Sequence, residues 1–98
     1  IVPILEPAAG ADYQLYDVVG PVCESGDTFA KGRLLPQMQA GELIAFRGAG
    51  AYGSAMASEY NSRPLVPEVM VKGDQFVVIR ARPSLEDIIN RDIIPKWL

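Results

Sequence analysis

The sequence predicts a mainly β domain, a small Greek-key-like barrel or sandwich with short helices. Three observations lead there. Apolar and β-branched runs are short and are broken at close intervals by Gly, Pro and Asp. No long helical stretch separates the strand candidates. The length is 98 residues, with 49% hydrophobic and 21% charged, which suits one modest globular domain rather than a disordered chain.

Residues 1–5 form the first strand candidate, confined to a sheet edge by Pro3. Residues 7–12 read as a turn, and residues 13–19 as a second strand ended by Gly20-Pro21. Residues 22–32 are mixed and polar and read as loop, whereas Glu-Leu-Ile-Ala-Phe-Arg over 42–47 reads as a compact buried strand. Gly48, Gly50 and Gly53 demand a turn, after which residues 54–60 supply one or two helical turns. Asn61 and the Arg63-Pro64 step stop that helix. Residues 68–71 and 75–81 are strands joined across Lys72-Gly73-Asp74, a sequence suited to a tight hairpin. Phe76 and Val78 alternate with Val77, Ile79 and Ala81, so both faces of the later strand are apolar and are expected to be covered. Ser84 is placed to cap a short C-terminal helix, with Glu86 and Asp87 at its positive end.

Composition excludes several functions. Nine Lys and Arg against twelve Asp and Glu give a net charge of -3, with no basic block, so binding to nucleic acid by phosphate neutralisation is not expected. With no histidine and one cysteine, the chain can build neither a thiolate-imidazole zinc site nor a histidine-based triad. It can form no internal disulfide, which fits a reducing, cytoplasmic setting. No apolar run approaches the roughly 18–20 residues that cross a bilayer, and no signal-peptide pattern is present, so no membrane partner is expected. The sequence opens at Ile1 rather than Met and runs straight into Val2-Pro3-Ile4-Leu5, which predicts a piece of a longer polypeptide.

Three features could carry chemistry. Gly48-Ala49-Gly50-Ala51-Tyr52-Gly53 matches G-x-G-x-x-G after a predicted strand. The break at residues 61–64 comes too soon for a βαβ crossover, so a small-residue turn is the better reading, one that could bring Tyr52 to a ligand held elsewhere. Cys23 lies in Gly20-Pro21-Val22-Cys23-Glu24-Ser25-Gly26-Asp27. A lone cysteine is most often a small core residue, but carboxylates beside this one disfavour its thiolate. If catalytic, it acts as a general acid. Glu24 and Asp27 read equally as solvated loop charges, with Asp27 capping a turn, or as a site in which Glu24 pairs with a substrate ammonium.

That segment, together with Gly50-Ala51-Tyr52-Gly53-Ser54-Ala55-Met56-Ala57-Ser58 and Tyr60-Asn61-Ser62-Arg63-Pro64, resembles the C-terminal domain of the diaminopimelate decarboxylase family. The similarity runs in order along essentially the whole chain and includes Pro67-Glu68-Val69. The resemblance implies residues 1–98 as the C-terminal β domain of an alanine-racemase-like fold. It also implies an N-terminal TIM-like barrel carrying pyridoxal 5'-phosphate, and a homodimer that converts meso-2,6-diaminopimelate to L-lysine and CO2. By the same resemblance Cys23 is the proton donor to the partner subunit's site and Glu24 grips the distal ammonium. Tyr52 lies near substrate and cofactor phosphate, and Asp27 organises the interface.

Lys31, Lys72 and Lys96 are the only lysines, and none stands in a Schiff-base context, so these 98 residues alone are expected to be inactive. Two other readings remain at this stage. One is the same domain of an arginine or ornithine decarboxylase, against which Glu rather than Asp at position 24 weighs. The other is a non-catalytic β module that binds a partner protein or small ligand.

Overall fold

The computed structural model describes residues 1–98 and divides them into two compact units, Ile1–Met56 and Ala57–Leu98. The first contains β1 (Val2–Pro3), β2 (Tyr13–Val19), β3 (Thr28–Pro36), β4 (Ile44–Ala45) and α1 (Gly50–Met56). The second contains β5 (Glu68–Lys72), β6 (Gln75–Arg80) and α2 (Leu85–Ile89). Sheet dominates, as the sequence predicts. The strands pair as three separate antiparallel ladders, β1 with β4, β2 with β3 and β5 with β6. No strand has two neighbours, so the expected barrel is not closed by hydrogen bonds among these residues.

In the first unit the β2–β3 ladder is the longest. Tyr13 lies opposite Pro36, Leu15 opposite Leu34 and Val19 opposite Thr28. The register shifts between Tyr16 and Val18, where Asp17 faces the Lys31-Gly32 step. Gly32 has φ +57° there, and its N–H donates to Asp17 Oδ1 at 2.8 Å. This bulge corrects the reading of residues 22–32 as loop, because strand begins at Thr28. A glycine that looked like a break is the residue that lets the strand continue past an extra position.

The buried strand expected over 42–47 shrinks to Ile44–Ala45, with Leu43 and Phe46 exposed. Its partner is equally short, since Pro3 brings no N–H to the ladder. Only Ile4 N–H extends the pairing, donating to the Leu43 carbonyl at 2.9 Å. Phe29 on β3 meets Phe46 at 4.8 Å between ring centroids, tilted by 54°. Leu35 and Val18, at 4% and 9% exposure, are the unit's buried hydrophobic side chains, with Pro36 buried beside Leu35. The glycine-rich stretch turns only at Gly48 (φ +66°); α1 already starts at Gly50, four residues before the expected helix, and none of its residues is buried.

In the second unit Lys72 pairs with Gln75, leaving Gly73-Asp74 as a two-residue turn with Gly73 at φ +61°. All six residues of β6 are exposed, so the expected cover on both faces does not come from within this unit, where no second layer stacks on a ladder of two strands. Glu68 pairs with Arg80. Arg91 Nη2 meets Glu59 Oε1 at 3.1 Å, with a second contact between Nη1 and Oε2. Between them a single turn over Tyr60–Ser62 holds Asn61 and Ser62 both at φ 57°, a left-handed pair that costs conformational energy for residues with a Cβ. No helix of the structure is long and apolar enough to cross a membrane.

Ser84 caps α2 as predicted. Its hydroxyl accepts from Asp87 N–H at 3.0 Å, and Asp87 Oδ2 accepts from Ser84 N–H at 2.8 Å and from the Ser84 hydroxyl at 2.7 Å. The hydroxyl and backbone bonds from Ser84 hold the Asp87 carboxyl below its ordinary range. A depressed folded value means that the contribution is complete above the unfolded carboxylate value of about 3.9 and fades as pH falls through the folded one. Ser84→Ala should therefore loosen the first turn of α2. Amide exchange over residues 85–89 is expected to quicken in that variant at pH 7, and protection factors in the parent, corrected for the intrinsic rate at each pH, to fall on acidification through the carboxylate range.

Candidate functional site

The segment singled out by the sequence is the connection from β2 to β3, residues 20–27. Its ends are fixed by the ladder, because Val19 lies opposite Thr28. Gly20 N–H then donates to the Asp27 carbonyl at 2.8 Å, and Asp27 N–H donates to the Glu24 carbonyl at 3.0 Å. Asp27 is half-buried, and its Oδ2 accepts from Val22 N–H at 2.9 Å. A Cβ built on Gly20 would lie 1.9 Å from Asp27 Oδ1 and 2.1 Å from Oδ2. Glycine at position 20 is thus the condition for the Asp27 carboxylate to occupy the loop.

Glu24 folds back over the far side of the loop. Gly26 N–H donates to its Oε2 at 2.6 Å and the Ser25 hydroxyl to its Oε1 at 3.2 Å. A carboxylate has about four lone-pair sites, so capacity remains for a further donor. Cys23 sits between these two arrangements, exposed and in no disulfide. The structure therefore brings Cys23, Glu24 and Asp27 together on one hydrogen-bonded frame that holds two carboxylates and no paired cation. Tyr52 stands on a different element, α1, with 78% of its surface exposed.

Two further sequence features are resolved by the topology. The G-x-G-x-x-G stretch follows β4, which pairs antiparallel with β1, so no βαβ unit surrounds it and no dinucleotide cradle forms. No three His, Cys, Asp or Glu side chains gather as a metal site. An open depression of about 370 Å³ lies between β1, β3 and the residue ends around them, lined in part by Tyr13, Arg33, Leu35 and Arg47. None of Cys23, Glu24 and Tyr52 lines it, and neither does any lysine.

Sequence reasoning missed the Gly20–Asp27 relation. Gly20 read as a strand stop and Asp27 as a turn residue or interface acid. The only signal for their pairing was symmetrical placement at the two ends of one loop. With Cys23 exposed, native-state treatment of the chain with iodoacetamide should modify one thiol per chain, read by intact-mass spectrometry. Complete protection would show that the loop turns the sulfur inward.

Comparison with known proteins places this geometry in a family. The family model for the C-terminal sheet domain of pyridoxal-dependent decarboxylases matches residues 1–50. The diaminopimelate decarboxylase of Archaeoglobus fulgidus is 51% identical over 85 residues, covering 87% of the chain and 20% of that protein. That of Zymomonas mobilis is 52% identical over 82 residues, with 84% and 20% covered. Among solved structures, diaminopimelate decarboxylase from Helicobacter pylori complexed with L-lysine superposes with a TM-score of 0.80 at 46% identity, covering 92% of the chain and 22% of that one. AQ1208 from Aquifex aeolicus gives 0.83 at 38%, with 92% and 22% covered. The chain spans about a fifth of the length of these relatives. With the family model matched over half of its residues, loop 20–27 included, the chain belongs to the pyridoxal-dependent decarboxylases, as a member of their C-terminal sheet domain family.

Proposed function

We propose that residues 1–98 are the C-terminal β domain of a diaminopimelate decarboxylase, which converts meso-2,6-diaminopimelate to L-lysine and CO2. In this reading the domain completes an active site at a homodimer interface, together with an N-terminal TIM-like barrel, in a cytoplasmic enzyme. The observation that carries it is loop 20–27, which presents an exposed thiol beside an acid on a frame closed by its own hydrogen bonds. The relatives bearing this enzyme name share about half of their aligned residues with the chain.

Each residue has a role that its chemistry suits. Cys23 Sγ, an exposed thiol on the loop, carries the proton that replaces the lost carboxylate. Glu24 offers its spare acceptor positions to the distal ammonium of the substrate, a group that needs an opposite charge once water is excluded. The exposed Tyr52 hydroxyl is a donor for substrate and for an anionic cofactor group. Asp27 organises the interface side of the loop.

The chain's own residues do not make a pyridoxal phosphate site. Lys31, Lys72 and Lys96 are all exposed, none lines the open depression, and none lies in loop 20–27. The Schiff-base lysine that would hold the cofactor, and with it the electron sink the cofactor supplies, would therefore lie outside these 98 residues, with Tyr52 contributing one contact.

In the full-length protein, Cys23→Ala should lower kcat by about a hundredfold or more with KM little changed, as loss of a general acid does. Glu24→Ala should raise KM for diaminopimelate, since it removes a charge-assisted contact. Steady-state assay of released CO2 measures both. The 98-residue chain alone should release none. Parental kinetics in both variants, or a full-length protein without this activity, would overturn the reading.

A further inference from the structure

Asp27 is bound into its own loop more tightly than an acid waiting for a partner would be. Its Oδ2 accepts the N–H of Val22, the residue immediately before Cys23, at 2.9 Å. Its backbone closes the loop base through Gly20 N–H and holds the Glu24 carbonyl through its own N–H. Its carboxylate fills the volume where any side chain at position 20 would begin. No arginine or lysine of the chain pairs with it.

We propose that Asp27 is a positioning residue that sets the placement of Cys23 by accepting the Val22 N–H, and that Gly20 is required to leave it room. This rests on the reading that Cys23 serves the active site, and it deepens that reading. It assigns Asp27 its effect through hydrogen-bond acceptance and shape, not through its negative charge. Fixing Val22 fixes the chain entering Cys23, and the Glu24 carbonyl bond fixes the chain leaving it, so the loop cannot swing the sulfur aside. A displacement of about 1 Å in such a group costs up to about a hundredfold in rate.

The two residues share one volume, which makes a sharp test in the full-length protein. Asp27→Asn keeps an acceptor oxygen of the same shape and should leave kcat within about threefold of the parent. Asp27→Ala and Gly20→Ala should each lower kcat at least about tenfold, with a smaller change in KM for diaminopimelate. The double variant should be no worse than Asp27→Ala, because an alanine Cβ at position 20 fits once the carboxylate is gone. Hydrogen exchange of the peptide spanning residues 20–27 should rise in both single alanine variants and stay parental in Asp27→Asn. Equal damage from Asn and Ala at position 27 would overturn the proposal in favour of a charge role, and so would additive losses in the double variant. Parental kcat in Asp27→Ala would overturn it as well. Should the parent not decarboxylate diaminopimelate, the reading of function fails, while the exchange pattern still decides whether Asp27 sets the loop.

Discussion

The constraint on which the site depends is the pairing of β2 with β3. The ladder brings Val19 opposite Thr28, and this alone puts Gly20 and Asp27 within hydrogen-bond reach across the mouth of the loop. Once there, the Asp27 carboxylate has a backbone N–H to satisfy and a vacant Cβ position to fill. An eight-residue connection that would otherwise sample many conformers is reduced to one that shows its thiol to the outside. The bulge at Lys31-Gly32 belongs to the same constraint, because it absorbs an extra residue without losing the register that closes the loop.

The first unit supports this ladder with very little interior. Val18 and Leu35 are its buried hydrophobic residues, and the Phe29–Phe46 pair adds a partly exposed contact. Local devices share the load in both units: bulge, capping box, two-residue hairpin turn and two ion pairs. Exposed ion pairs are screened by water and contribute little, so the ladders and turns matter more than the charges. Meanwhile Phe76, Ile93, Ile94 and Trp97 stand largely in solvent. That apolar surface agrees with the apolar composition of a chain spanning about a fifth of its relatives' length.

Legibility followed the locality of the cause. The strand at residues 13–19, the Gly73-Asp74 hairpin and the Ser84 cap could be read directly, since each is set by residues within a few positions of one another. The β3 strand could not be read, because Gly32 ends a strand by composition and continues one only when a partner supplies Asp17 to its N–H. Strand 42–47 was overread for the converse reason. Its sequence is apolar enough, but a ladder is only as long as its partner, and Pro3 shortens that partner. The start of α1 was misplaced because glycines at 50 and 53 were given a conformational freedom that only Gly48 uses.

By itself the sequence determined the sheet-rich class, the family and the candidate pair Cys23 and Glu24: a thiol and an acid adjacent in the chain remain adjacent in any fold. The tertiary structure alone decided that Glu24 is partly occupied by its own loop, that Tyr52 stands on a separate helix, and that Asp27 and Gly20 share one volume. The physical reason is that these depend on which strand lies opposite which. Register is set by the whole ladder, and no short stretch of residues encodes it.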